Sequence, residues 1–318
     1  MHMADALVSA PVAVTAGVVA AALIVVASRK VSRINREDIL PLMGVMGAFV
    51  FAAQMINFSI PGTGSSGHII GGVLLAALMG PWAAFITLAS VLIIQCLIFA
   101  DGGLMALGCN LINMAAMSCL VAYPLLYRPI AGNSLKKWRV MAASVVACIV
   151  GLELGALLVT GETELSGITA LPTSQFLMFM LPIHLAIGLC EGLATGVVLC
   201  FVMSYRPEML YRPGVQNEYS GKSEKQTKRS KVVLSVFAGL AIVMGVAFTW
   251  VASSDPDGLE WSISKLTGST ELAPAVTPVT ALMPDYDSTF AGVLGGLIVV
   301  ALIWGFCSII FRKRHVKA

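Results

Sequence analysis

Apolar residues in this chain come in long blocks separated by short polar ones. The first block runs from Val8 to Ala27 and ends at Ser28-Arg-Lys-Val-Ser-Arg-Ile-Asn-Arg-Glu-Asp38. About 20 apolar residues in helical geometry span the ~30 Å hydrocarbon core of a bilayer. Blocks of that kind recur at residues 39–58, 82–100, 104–126, 140–159, 175–204, 232–252 and 289–311. The run 69–79 is too short for a full crossing and Gly80-Pro81 breaks it, so it predicts a short or partial helix. These elements predict an all-α bundle of about nine transmembrane segments.

The polar stretches set the orientation. Cations cluster in four of them: Arg29, Lys30, Arg33 and Arg36; Arg128, Lys136, Lys137 and Arg139; seven between Tyr205 and Lys231; and Arg312, Lys313, Arg314 and Lys317. With nine spans, nineteen of the twenty Lys and Arg lie on one side and only Lys265 on the other. Basic loops stay cytoplasmic. The N-terminus is therefore predicted outside and the C-terminus cytoplasmic. No internal repeat is visible.

Composition agrees with a membrane chain. Of 318 residues, 58% are hydrophobic and 12% charged, with a mean hydropathy of +0.88; soluble domains carry about 25% charged residues. A net charge of +3 spread in this way implies no nucleic-acid partner. The seven cysteines sit inside apolar runs without a CxxC pair and read as packing residues. The first apolar block lacks a basic leader, so no signal peptide is expected. No GxxxxGK[ST] loop is present, so no bound nucleotide is expected.

Several polar residues interrupt the apolar pattern. Gln54 and Asn57 lie near the end of the second span, and Ser59 to Gly67 is rich in Gly and Ser, with Ser66 just before His68. Such a loop at membrane depth must be buried in protein or line a polar cavity. Asp101 follows the fourth span and either caps a helix or lines a metal path. Glu153 falls inside the sixth span. His184 and Glu191 are seven residues apart on one predicted helix, so both can face the same side. They are either a functional pair or a structural polar pair.

Candidate chemistry lies at the beginning of the chain. A histidine at position 2 offers three nitrogens in chelating order: the Met1 amine, the His2 amide and the His2 Nδ1. The first two close a five-membered ring on a metal and the last two a six-membered one. Nitrogen-rich square-planar coordination favours Ni(II) or Cu(II) over Zn. A fourth nitrogen is wanted, and the topology puts His68 on the same outer side.

Motifs in order along the chain carry a family resemblance: Met1-His-Met-Ala-Asp-Ala-Leu7, Phe51-Ala-Ala-Gln-Met-Ile-Asn-Phe58, Ser66-Gly-His68, Gly80-Pro-Trp82 and Phe99-Ala-Asp-Gly-Gly-Leu104. Residues 1–205 resemble the CbiM/NikM substrate-capture component of nickel/cobalt energy-coupling-factor (ECF) transporters. Residues 232–318 resemble the two-span CbiN/NikN partner through Ser254-Asp-Pro-Asp-Gly-Leu-Glu-Trp261 and Pro284-Asp-Tyr286, and residues 206–231 form a basic cytoplasmic linker.

The resemblance implies a four-nitrogen site from the Met1 amine, the His2 amide and imidazole, and the His68 imidazole. Gln54, Asn57, Ser66 and Asp101 are candidates for the layer around the ion or for its path. The transported substrate would be Ni(II) or Co(II). The partners would be a membrane coupling protein of CbiQ/NikQ type and ATPase subunits of CbiO/NikO type, in a multi-pass cell-membrane complex. Small residues of the first span (Ala16, Gly17, Ala20, Ala21, Ala22) would suit helix packing, within the chain or against the coupling protein. The C-terminal part, whose outer loop has carboxylates but no histidine, would help loading or release. Met3-Ala4-Asp5-Ala6 departs from the common opening Met-His-Ile-Pro-Asp-Gly.

Two other classes compete. An intramembrane metalloenzyme built on His184 and Glu191 would be expected to show an HExxH-like pair, which is absent. A structural membrane protein would carry the early histidine incidentally.

Overall fold

The computed structural model describes residues 1–34, 39–133, 136–211, 224–247, 250, 252–270, 272 and 289–315. Arg36, residues 212–223 of the linker, and Pro284-Asp-Tyr286 lie outside the described residues.

The helices are α1 (Ala10–Val31), α2 (Ile39–Gln54), α3 (Gly72–Met79), α4 (Pro81–Phe99), α5 (Leu107–Ala131), α6 (Lys137–Ser166), α7 (Thr173–Tyr205), α8 (Glu224–Ala247), α9 (Gly258–Thr267) and α10 (Thr289–His315). Five of them (α1, α4, α5, α6, α7) are long and apolar enough to cross a membrane, and shorter apolar helices lie at Ile39–Gln54, Lys231–Val246 and Gly292–Phe306. The short third helix expected from the sequence is α3, eight residues long and buried at every position. A helix apolar all round belongs inside a bundle.

Small residues allow the backbones to meet. On α7, Gly188 and Gly192 face α6 so closely that a Cβ would lie 2.8 Å from Ile149 Cα and 2.5 Å from Val145 Cα, respectively. This small-xxx-small spacing is the usual close-packing device of membrane helices. Gly108 of α5 lets α1 approach in the same way, since a Cβ there would lie 2.4 Å from Gly17 N. Ala16 and Ala20 are buried, whereas Ala21 and Ala22 are exposed along with Val14 and Val18. Part of α5 (Leu111–Tyr127) is a π-helix containing Pro124. A wider turn accommodates a proline ring that an α-turn would clash with.

The all-helical expectation needs one addition. Residues after α2 do not continue as helix to Phe58; they turn into a two-stranded antiparallel hairpin, β1 (Phe58–Ile60) and β2 (Ser65–Gly67), with Ser59 opposite Ser66. Gly62 and Gly64 take φ of +79° and +70° at its tip, a conformation that favours glycine. The hairpin is tied to residues 253–261, at and before the start of α9: Ser253 N–H donates to Asn57 O at 2.8 Å, Ser66 N–H to Pro256 O at 2.8 Å, and Trp261 Nε1–H to Thr63 O at 3.0 Å. Its second strand, Ser65–Gly67, is buried throughout, whereas the tip is exposed.

Candidate metal centre

The first seven residues are drawn into the body of the protein. Met3 N–H donates to Asn110 Oδ1 at 2.8 Å, Asn110 Nδ2 returns a bond to Met3 O at 3.1 Å, and Gly103 N–H also reaches Met3 O at 2.9 Å. Asp5 Oδ1 accepts Ala106 N–H at 3.1 Å. Met1, Met3 and Leu7 are buried. Gly155 makes room for the Met1 side chain, because a Cβ there would lie 2.7 Å from Met1 Cε.

His68 follows directly on β2. Its Nδ1 lies 3.3 Å from Ile69 O, and its Nε2 lies 3.4 Å from the Met1 amine nitrogen. The His2 and His68 rings are stacked with centroids 5.2 Å apart and an interplanar angle of 23°. Thus the amine and both imidazoles come together. The His2 Nδ1, which closes the six-membered chelate ring, lies 3.0 Å from Asp101 Oδ1. In this structure that atom is therefore engaged by the Asp101 carboxylate.

Burial keeps both imidazoles neutral. The pKa of His2 falls to about 3, chiefly through loss of hydration and further through the nearby N-terminal charge. His68 falls to about 3 for the same two reasons, with His2 adding to them. Neutral imidazole is the form that ligates a metal. Burial works against ionisation of Asp257, yet the N-terminal charge beside it holds its carboxyl well below the usual range.

The sequence-derived supporting residues divide by role. Gln54 Nε2 donates to Ile70 O at 2.8 Å and its Oε1 accepts from Gln95 Nε2 at 2.7 Å, so it braces the stretch after His68. Ser66 Oγ donates to Asp255 O at 2.7 Å. Asn57 takes part through its backbone carbonyl. Asp101 does not cap α5, whose first residue is preceded by Ala106; its carboxylate faces His2. His184 and Glu191 are not paired with each other. His184 Nδ1–H donates to Met180 O at 2.8 Å, while Glu191 Oε2 and Oε1 accept Ile70 and Gly71 N–H at 2.9 Å each.

Three residues were not singled out by sequence: Asn110, which holds Met3; Gln95, which bonds Gln54; and Asp257, whose Oδ2 lies 2.5 Å from the Met1 amine. A cavity of about 400 Å³ opens beside Asp257, lined among others by His2, Asp5, Asp101 and Glu260. Among the described residues, no three His, Cys, Asp or Glu side chains are grouped to hold a metal. The donors gathered here include a terminal amine instead, which is a nitrogen set unlike that of a zinc hydrolase.

A family described as the cobalt uptake substrate-specific transmembrane region, CbiM, matches over residues 2–209, and the PDGLE domain matches over residues 231–312. The chain belongs to the CbiM family. A CbiM relative fused to a further domain is similar over nearly its whole length: the chain assigned as fused nickel transport protein NikMN in Archaeoglobus fulgidus is 32% identical over 292 residues, covering 88% of this chain and 90% of that one. The fused nickel transport protein NikMN of Rhodobacter capsulatus is 31% identical over 66% of this chain and 64% of its own. The cobalt transport protein CbiM of Sorangium cellulosum is 31% identical over 54% of this chain and 76% of its own. A crystal structure of a truncated transition metal transporter superposes with a TM-score of 0.57 at 31% identity, covering 64% of this chain and 99% of that one. This CbiM-family chain is a multi-pass membrane protein and a component of a metal transporter, not an enzyme.

Proposed function

We propose that the chain is the substrate-specificity component of an ATP-driven ECF-type importer for nickel or cobalt, and that it holds the ion with the Met1 amine, the His2 amide and imidazole, and the His68 imidazole. The observation that carries this reading is the meeting of the Met1 nitrogen and His68 Nε2 at 3.4 Å, with the His2 ring stacked on that of His68. Adjacent corners of a square with arms of ~2.0 Å lie roughly 2.8 Å apart, so a small shift brings these two nitrogens to neighbouring corners. Coordination releases protons from the amine and the amide, and the neutral imidazoles have none to lose.

In this reading the chain crosses the membrane nine times, N-terminus out and C-terminus in, which gathers nineteen of its twenty Lys and Arg on the cytoplasmic side. Residues 1–205 form the capture module, 206–231 a cytoplasmic linker, and 232–318 an accessory module. The chain has no phosphate-binding loop, so ATP is hydrolysed on separate subunits of CbiO/NikO type, coupled through a membrane protein of CbiQ/NikQ type.

The test is an N-terminal extension. One residue added before Met1, with its processing blocked, turns the amine into an amide and moves the histidine to third position while every side chain survives. The extended protein is expected to insert normally, purify without nickel or cobalt and give no uptake, whereas a tag after Ala318 is harmless. Full metal occupancy in the extended protein would sink the amine-ligand mechanism.

A further inference from the structure

Asp257 belongs to the Pro256-Asp-Gly-Leu-Glu260 run, far from the capture residues in sequence. As N-cap of α9 it stands in extended conformation (φ −66°, ψ 171°), and its Oδ1 accepts the N–H groups of Leu259 and Glu260 at 2.8 and 2.9 Å. Glu260 Oε2 accepts the Asp257 N–H at 3.0 Å, which completes a capping box. That motif uses one oxygen of the aspartate. The other, Oδ2, takes the Met1 amine at 2.5 Å, in a pair whose side chains are 3% and 16% exposed.

The segment bearing Asp257 is bonded to the hairpin that leads into His68. Besides the Ser66 bonds to Asp255 and Pro256, Ser59 Oγ donates to Ser253 Oγ at 2.7 Å. Gly258 keeps the segment against α7, since a Cβ there would lie 3.1 Å from His184 Cε1 and from Ile187 Cδ1. One tied unit therefore fixes both the amine and His68.

We propose that Asp257 is a positioning residue of the metal site, an outer carboxylate that aims the Met1 amine at the ion. The inference rests on the four-nitrogen reading above. A metal-bound amine gives its lone pair to the ion and keeps two N–H groups, so a carboxylate beside it accepts one of them and fixes the direction of the lone pair. Outer partners of this kind orient the ligand they touch, and removing one typically lowers metal affinity about 10- to 100-fold. The second half of the chain thereby completes a site whose ligands all lie in the first.

Asp257→Asn tests this in the full-length protein, because asparagine caps a helix as well as aspartate does but replaces Oδ2 with an NH₂ donor. Nickel titration is expected to show affinity weakened about 10- to 100-fold, with the visible d–d spectrum at saturation unchanged and partial recovery in Asp257→Glu. Acylation of the Met1 amine, which needs no metal, is expected to be faster in Asp257→Asn than in the unaltered chain. If Asp257→Asn does not give monodisperse protein, Asp257→Ser, a cap with a single oxygen, is read in the same way. Unaltered affinity in the variant overturns the proposal and leaves the four-nitrogen reading standing. A changed spectrum at saturation makes Asp257 a direct ligand and overturns it too. No nickel binding by the unaltered chain defeats the four-nitrogen reading, and this proposal with it.

Discussion

Glu191 on α7 accepts the N–H groups of both Ile70 and Gly71 at 2.9 Å, closing the turn that begins two residues after His68. Gly71 stands at φ +79°, and α3 starts at Gly72. The Glu191 side chain, which belongs to a different helix, therefore satisfies the two N–H groups that lead into α3. This buried side chain holds the backbone that carries a candidate ligand.

Replacing Glu191 by alanine strands two buried donors, at about 1–3 kcal/mol each. The Glu191→Ala chain is expected to melt at lower temperature and to bind nickel more weakly, with Glu191→Gln, which keeps one acceptor, between it and the parent. Thermal unfolding and nickel titration of the purified proteins check this. Reduced stability with unchanged nickel affinity would mean that His68 is set by the hairpin alone.

His184 behaves differently, because its Nδ1 is spent on Met180 O within its own helix and the four nitrogens of the proposed site do not include it. His184→Ala is expected to keep stoichiometric nickel, at a stability cost of roughly 1–3 kcal/mol. Metal analysis by mass spectrometry decides it. An apo product would show that the coordination model is wrong.

Acid should destabilise the protein through the two stacked imidazoles. In the unfolded chain each takes a proton near pH 6.5, whereas the folded ones stay neutral down to about 3. Between those values the unfolded chain binds more protons, so stability falls as pH drops through 6.5 and continues to fall toward 3. Asp257 acts only below about pH 4, and the raised carboxyl of Glu260, shifted chiefly by burial and then by Asp257, works in the opposite direction. His68→Ala removes one imidazole, and its stability should depend on pH less steeply between about 5.5 and 4, by on the order of 1.4 kcal/mol per pH unit. Parallel melting curves for the two proteins would rule out the pair as the origin.

The membrane helices were legible because their signal is local: a run such as Pro81–Phe99 declares itself without reference to anything else. His68 and His2 were legible as chemistry, the one for its place after a glycine-rich loop and the other for its distance from the amine. The hairpin was not, since two strands of three residues each, Phe-Ser-Ile and Ser-Ser-Gly, have no period to read and are held by Ser253 to Trp261 from the far end of the chain. Asp257 looked like one more carboxylate in an acidic outer loop. Its capping role could be read from the glutamate three positions on, but nothing local indicates where its second oxygen points. Asn110 and Gln95 were overlooked for the same reason: each sits in an apolar helix, and its partner is distant in sequence.

The ion pair between Met1 and Asp257 joins residues 256 positions apart, and this gives assembly of the site a definite order in time. At about 5–20 residues per second on the ribosome, roughly 13 to 50 seconds separate synthesis of the amine from synthesis of its carboxylate. Throughout that interval the Met1 amine lacks its Asp257 partner. On the proposed reading the candidate donors Met1, His2 and His68 are made before the carboxylate that aims the amine, so a chain truncated before Asp257 would carry every candidate donor and still lack the contact that sets the first of them.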